Sequence, residues 1–429
     1  MLLASLLLLL AGAHAPGPTP VAGHLAAHAD ARRDAQAGSV VASDVGAPVA
    51  APVADDEGGC RRCDHRGVEP CGEHDEELLA MEAEVLFCSV VAACEECLGT
   101  LLVDCDRCDG GPDSARIPER RAEIEAWLFE DRMSAFLERP VPHVETEHFE
   151  LVCDVPVMKD GKKKKDPHLT MHLVARDVER VATLIGEHFD ITREDYFSKM
   201  RMWIWKDPRD HAAVMREFLL STSTGDFKLL GKDPVFSVWT EPPFDTVPGV
   251  RRLFTHNSSH MLLSNLYRML WTGDTGGGWF DAGAGHWYEY EVHDLSVSYC
   301  IEEATVPLEY HGGVWRTAIK KRLRKEEERQ LPRLLPLNTG AMTLPDQALC
   351  WSLYDWLVHE HPDSLAPLQR ALKEKRTGRE VLEEVLGMKV LAVEEAWRAW
   401  VEEAYPLRGD ELKLPERDED EGRKRGDRR

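Results

Sequence analysis

The sequence Leu-Phe-Thr-His-Asn-Ser-Ser-His-Met-Leu-Leu runs from Leu253 to Leu263 and places His256 and His260 four residues apart. Residues at this spacing lie on one face of an α-helix, so both imidazoles can reach the same metal ion. Two such histidines can equally well hydrogen-bond inside a helical domain. A metal site therefore needs a third donor from another segment.

The spacing resembles that of H-E-x-x-H zinc peptidases, and this resemblance implies a third donor on a second helix about twenty residues on. Residues 278–287, which read GWFDAGAGHW, fill that interval. They offer two candidates for a third metal ligand, Asp281 and His286. The residue after His256 is Asn257, whose amide has no useful basicity near neutral pH. The pattern therefore predicts a site that can hold zinc in a cleft but has no catalytic residue at the position of a general base.

The order of these segments resembles the peptidase MA-like gluzincins of exported bacterial proteins. In that family an H-E-x-x-H helix supplies two zinc ligands and the base, and a W-L-x-E-G-x-A-type helix supplies a third ligand. Aligned on Trp279 and Gly283, the family's glutamate ligand falls on Ala282. The resemblance spans roughly 145–405 and ends in a closing helix around Leu391–Trp400.

This resemblance implies an α+β fold of the zincin type, with a small strand-and-helix subdomain followed by a mainly helical C-terminal part. It also implies that the domain is a catalytically inactive relative of the peptidases that binds a peptide or a protein partner. The alternative is an active zinc metallohydrolase with rearranged ligands. In that reading His256, His260 and either Asp281 or His286 hold zinc, and a nearby carboxylate activates water.

A cysteine-rich block at 59–110 contains the pattern C-x2-C-x7-C-x2-C/H twice, which is an internal repeat. Two donors separated by two residues can bind one ion, and two such pairs complete a tetrahedral site. The block therefore predicts two structural zinc ions. The eight candidate ligands are Cys60, Cys63, Cys71, His74, Cys94, Cys97, Cys105 and Cys108.

The block resembles the cysteine-rich zinc module of DnaJ-type chaperones, although each half keeps only one of the two glycines, Gly67 and Gly99. We carry over zinc binding and not chaperone activity. The spacing leaves open which pairs share an ion, and disulfides are the alternative in an exported protein. Cys88 is an odd thiol on a segment expected to be helical. The remaining cysteines are expected in the core: Cys153, Cys300 and Cys350.

The chain begins with the apolar segment MLLASLLLLLAGA, which is typical of an export signal. An uncleaved membrane anchor or a misassigned start codon are the alternatives. The expected organisation is a signal peptide at 1–15, a disordered linker at 16–58, the cysteine-rich module at 59–110, a connecting helix at 116–140, the gluzincin-like domain at 143–405 and a disordered charged tail at 406–429. Localisation in the periplasm, the cell envelope or the medium follows from export.

Acidic residues dominate the composition, with 76 Asp and Glu against 52 Lys and Arg, for a formal net charge of −24. Phosphate backbones would be repelled by most of such a surface, so a nucleic acid is not an expected partner. Beyond the first dozen positions, charged residues interrupt every apolar run, and none reaches the length of a membrane span.

Overall fold

The computed structural model describes residues 60–108, 110–242, 244–298, 300, 315–325, 328–409 and 412. All of them belong to one compact unit, Gly58–Arg429. The predicted signal peptide and linker lie outside the described residues, as does most of the predicted tail. Among the described residues, no helix is long and apolar enough to cross a membrane.

Within the described residues, ten short strands form one large sheet and two small ones. They are β1 (Val68–Pro70), β2 (Phe87–Cys88), β3 (Leu102–Asp104), β4 (His143–Glu145), β5 (Phe149–Asp154), β6 (Met158–Asp160), β7 (Lys163–Lys165), β8 (Met200–Trp205), β9 (Phe227–Leu229) and β10 (Val235–Trp239). The large sheet has the order β2-β4-β5-β8-β10-β9. Its central strands β5, β8 and β10 run parallel, and its outer pairs are antiparallel.

Helices account for most of the rest of the described chain. They are α1 (Glu76–Glu82), α2 (Ser89–Ala92), α3 (Arg116–Glu130), α4 (Arg132–Leu137), α5 (Pro167–Phe189), α6 (Pro208–Leu219), α7 (Val247–Asn265), α8 (Gly278–His293), α9 (Trp315–Arg324), α10 (Leu331–Leu334), α11 (Leu344–Glu360), α12 (Leu365–Lys373), α13 (Gly378–Leu386) and α14 (Val390–Ala404). The predicted mixed α+β class with a cysteine-rich N-terminal region is confirmed.

The central strands of the large sheet are buried on both faces, in keeping with their nearly continuous apolar runs. Met202 and Ile204 of β8 belong to the main core, which also contains buried side chains of α5 and α7. Trp203 and Trp205 belong to a second core with Val214 of α6. Because successive side chains of a strand point to opposite faces, one strand serves both cores.

The cysteine-rich segment is joined to this sheet through one of its own strands. Strands β1 and β3 pair with each other, whereas β2 adds to the large sheet by pairing with β4. Cys88 therefore lies in a strand and not in the helix expected from the sequence. The segment expected to connect the two parts forms two helices, α3 and α4, instead of one.

The C-terminal helices enclose a buried polar network around Asp355 of α11. Its carboxylate accepts hydrogen bonds from Trp287 Nε1 at 3.0 Å and from the Tyr405 hydroxyl at 2.9 Å, and it pairs with the Arg316 guanidinium at 3.3 Å. Burial by itself would raise the pKa of Asp355, but His359 and Arg316 lower it to about 2. The network links α8, α9 and α11 with the end of α14.

We expect Asp355→Ala to lower the free energy of unfolding by about 3–5 kcal/mol, because it leaves the Arg316 charge buried without its carboxylate. Chemical denaturation gives the value. Asp363→Ala, at an exposed position, is the control and should change stability by about 0.5 kcal/mol or less. Equal effects of the two substitutions would contradict this role of Asp355.

Candidate metal centres

The first cysteine cluster joins the two ends of the cysteine-rich segment. Antiparallel pairing of β1 with β3 brings Cys60 and Cys63 beside Cys105 and Cys108. The Sγ atoms of Cys60 and Cys105 are 3.7 Å apart, and those of Cys63 and Cys108 are 3.6 Å apart. A tetrahedral zinc ion with Zn–S bonds of about 2.3 Å holds its sulfurs about 3.8 Å apart. The cluster therefore has the geometry of a four-sulfur zinc site.

The second cluster lies inside the first along the chain. It contains Cys71, His74, Cys94 and Cys97, with His74 Nε2 3.3 Å from Cys97 Sγ. The first pair of the repeat thus meets the fourth, and the second meets the third. All eleven cysteines are described, and each is a free thiol. The measured sulfur separations greatly exceed the disulfide bond length of about 2.05 Å.

The third cluster forms where α7 crosses α8. His256 Nε2 and His260 Nε2 of α7 are 3.1 Å apart. Cys300 Sγ lies 3.6 Å from His256 Nε2, 3.5 Å from His260 Nε2 and 3.6 Å from His286 Nε2 of α8. All three histidines are buried, and Cys300 is half-buried. The donor atoms of His256, His260 and Cys300 therefore lie close to one another, and His286 Nε2 approaches the same sulfur.

The other ring nitrogen of each histidine faces an acceptor. His260 Nδ1 donates to Asp281 Oδ1 at 2.9 Å, and His256 Nδ1 lies 3.4 Å from Glu289 Oε2. His286 Nδ1 is 3.0 Å from Ser296 Oγ, which itself donates to Glu289 Oε2. With the ring proton on Nδ1, the lone pairs of His256 and His260 are on Nε2, whereas Nε2 of His286 faces the acceptor oxygen Oε1 of Gln347. Metal-binding histidines are commonly oriented by such contacts.

Gly285 of α8 makes this convergence sterically feasible. A Cβ atom at this position would lie 2.6 Å from His260 Nε2 and 3.1 Å from His256 Cε1. Two residues earlier, on the opposite side of the same helix, Gly283 lies against the Cys350 carbonyl of α11, where a Cβ would approach to 2.6 Å. The two glycines let α8 pack closely between α7 and α11.

Of the two candidates for a third ligand, His286 faces the donor atoms and Asp281 does not. Asp281 Oδ1 contacts Nδ1 of His260, and Nδ1 and Nε2 point to opposite sides of an imidazole ring. Burial and the neighbouring His256 lower the pKa of His286 to about 3, so its ring is neutral at pH 7. The same Nε2 atom lies 2.9 Å from Gln347 Oε1, a hydrogen bond that His286 would give up on binding a metal ion.

Asn257 is buried on α7, and its Nδ2 donates to the Leu253 carbonyl of the same helix at 2.9 Å. Asn257 therefore supplies no general base to the histidine cluster.

Sequence reasoning missed two residues of this site. Cys300 was expected in the core, but it is half-buried and contacts the three histidines. Glu289 was assigned no role, yet its carboxylate accepts hydrogen bonds from Ser296, Val297 and Ser298 beside His256. No sequence spacing identifies Cys300 as a candidate metal ligand. Glu289 could have been found from its position one turn after His286, next to the expected ligand face.

Comparison with known proteins adds no family to these observations. No protein-family model matches the chain, and no curated protein matches it.

The nested pairing of the two cysteine clusters predicts how pairs of substitutions combine. Cys63→Ser and Cys97→Ser should each remove one metal ion per chain, and together they should remove two, because they belong to different clusters. Cys63→Ser with Cys108→Ser should remove only one. Elemental analysis of the folded variants measures this, with Cys350→Ala as a buried-cysteine control. Loss of two ions from the Cys63/Cys108 variant would contradict the pairing.

We expect Gly285→Ala to separate His260 from His256, because the added methyl occupies the space of the His260 ring. The folded variant should bind one metal ion fewer than the native protein, by elemental analysis. Gly340→Ala is the control, since a Cβ there meets no atom within 4 Å. Full metal content in folded Gly285→Ala would show that the histidine cluster is not a metal centre.

Proposed function

We propose that this is an exported zinc-binding protein whose gluzincin-like domain holds a zinc ion without hydrolysing peptides and acts as a binding module for a peptide or protein. The observation that carries the proposal is the position of Cys300 Sγ, within 3.6 Å of Nε2 of His256, His260 and His286. These four residues are the ligands of the proposed centre.

The donor set suits zinc. Imidazole nitrogen and thiolate sulfur are ligands that Zn²⁺ accepts together, whereas hard cations prefer oxygen. The space left by Gly285 and the acceptors at Nδ1 of His256 and His260 fit a bound ion, because the Nε2 lone pairs of these two rings then have a shared partner. His286 would join them by exchanging its Gln347 Oε1 contact for the ion. Four protein ligands leave no position for water, as in structural zinc sites. The ion would fix the crossing of α7 and α8.

The surrounding carboxylates support a site without hydrolysis. Asn257 replaces the base of the H-E-x-x-H helix and has no proton-accepting group of suitable strength. Asp281 and Glu289 contact Nδ1 atoms, on the far side of the rings from the Nε2 donors. Neither carboxylate is therefore placed beside a water molecule on the metal.

The cysteine-rich segment contributes two further structural zinc ions in this proposal, one in each of the nested clusters. Their sulfur separations support it, as does the similarity to the DnaJ-type zinc module. A segment of short strands and short helices has little apolar core of its own, and small units of this kind commonly depend on bound metal for stability.

A second candidate function is hydrolysis with rearranged ligands, and one observation favours it. Cys300 is half-buried, whereas the three histidines are almost fully buried. If the thiolate left the ion, a water molecule would take its position, as in catalytic sites with three protein ligands.

Casein hydrolysis by zinc-loaded protein separates the two candidates. The proposal predicts no cleavage by the native chain or by Cys300→Ala beyond the background of His256→Ala. It also predicts one zinc ion fewer in folded His256→Ala. Cleavage by native protein or Cys300→Ala that His256→Ala abolishes would establish the hydrolase. An unchanged zinc content in folded His256→Ala would exclude the centre.

The binding role is tested by selection from a random peptide library. Peptides enriched on the zinc-loaded native protein should fail to bind folded His256→Ala, because loss of the ion loosens the helix crossing. A selection that enriches no peptide would contradict the peptide-binding part of the proposal.

A further inference from the structure

A separate group of four donor side chains lies where the cysteine-rich segment meets the large sheet. Glu82 ends α1 and Cys88 lies in β2, whereas His168 and His172 occupy the first two turns of α5. The two histidines are four residues apart, so their rings lie on one face of that helix. None of these residues belongs to the repeat or to the centre at the crossing of α7 and α8.

Their donor atoms converge on one point. Glu82 Oε1 lies 3.1 Å from His168 Nε2 and 2.7 Å from His172 Nε2, and the two Nε2 atoms are 3.1 Å apart. Cys88 Sγ completes the group at 3.4 Å from His168 Nε2. All four atoms lie within 4.8 Å of one another.

From these distances we infer that Glu82, Cys88, His168 and His172 form a further binding site for a transition-metal dication of the zinc class. A tetrahedral zinc ion with bonds of about 2.0–2.3 Å separates its nitrogen, oxygen and sulfur ligands by about 3.3–3.6 Å. The contacts of 2.7–3.1 Å among Glu82, His168 and His172 need to open by about 0.2–0.6 Å to reach these values. The mixed sulfur, nitrogen and oxygen donors exclude the cations that prefer oxygen alone.

The site is enclosed, with one accessible side. The side chains of Glu82 and His172 are 5% and 3% exposed, whereas that of His168 is 20% exposed. His168 therefore marks the side from which an ion reaches the site. With four protein ligands, the bound ion is structural.

Its role follows from the elements that it connects. An ion held here ties α1 and β2 to α5, which packs against the large sheet. A second charged link between this region and α5 is the exposed pair of Glu84 with Arg176. Exposed pairs of this kind contribute about 0–1 kcal/mol. The site therefore fastens the cysteine-rich segment to the rest of the protein.

The competing interpretation is a metal-free ion pair, in which Glu82 binds one or two protonated histidines. An ion pair needs no thiol, whereas a metal site uses Cys88 as a ligand. Substitution of Cys88 therefore distinguishes the two interpretations.

The test is the zinc content of the full-length, zinc-loaded protein and its variants. His168→Ala and Cys88→Ser should each bind one zinc ion fewer than the native chain, and the double variant should also lose only one. His188→Ala, a histidine on α5 whose Nδ1 contacts the Tyr288 hydroxyl, should bind as many ions as the native chain. Because His168 is partly exposed and Cys88→Ser keeps the side-chain size, at least one variant is expected to fold, as checked by circular dichroism.

Native zinc content in folded His168→Ala or folded Cys88→Ser would overturn the inference. The readout is a difference of one ion from the native chain, so it does not depend on the centre of His256, His260 and His286. As a direct check, cobalt(II)-loaded native protein should lose part of its thiolate-to-cobalt absorption in Cys88→Ser and none in Cys350→Ala. Equal spectra of native protein and Cys88→Ser would also overturn it.

Discussion

Lone pairs that face one another across about 3 Å repel unless a proton or a cation lies between them. The crossing of α7 and α8 accommodates such a pair: His256 Nε2 and His260 Nε2 are 3.1 Å apart, and Cys300 Sγ lies 3.5–3.6 Å from both. The contacts of their Nδ1 atoms with Glu289 and Asp281 favour ring protons on the opposite side of each imidazole. In this account a cation shared with the Cys300 sulfur relieves the repulsion, and the packing of the two helices depends on it.

The need for a cation between facing donor atoms has different consequences in the two parts of the described chain. The sheet and the C-terminal helices enclose a large apolar core, so an ion there adjusts a crossing that packing already favours. The cysteine-rich segment contributes few buried apolar side chains, and its short strands cannot form a stable unit alone. Metal ligands therefore take over the role of a core in that segment.

Much of this arrangement could be predicted from residue spacing. The repeated C-x2-C pairs and the spacing of His256 and His260 each reflect one local turn of chain, which a sequence pattern records directly. The mixed α+β class was expected from the order of segments that resembles the gluzincins. Asn257, in the position of the glutamate of H-E-x-x-H, also indicated that the general base of that motif is missing.

The remaining features depend on contacts between distant segments. The pairing of the cysteine clusters is decided by the β1–β3 ladder, and the position of Cys300 is decided by the chain after α8. Neither leaves a spacing signal. His168 and His172 show the same spacing as His256 and His260, and they were overlooked because their partners, Glu82 and Cys88, come from a segment about 80 residues earlier.

The most direct test of the account is an anomalous difference map at the zinc absorption edge, from crystals of the zinc-loaded native protein. The account predicts four peaks per chain: one within each cysteine cluster, one among His256, His260, His286 and Cys300, and one among Glu82, Cys88, His168 and His172. Peaks confined to the cysteine clusters, with hydrogen-bonded histidines elsewhere, would contradict it.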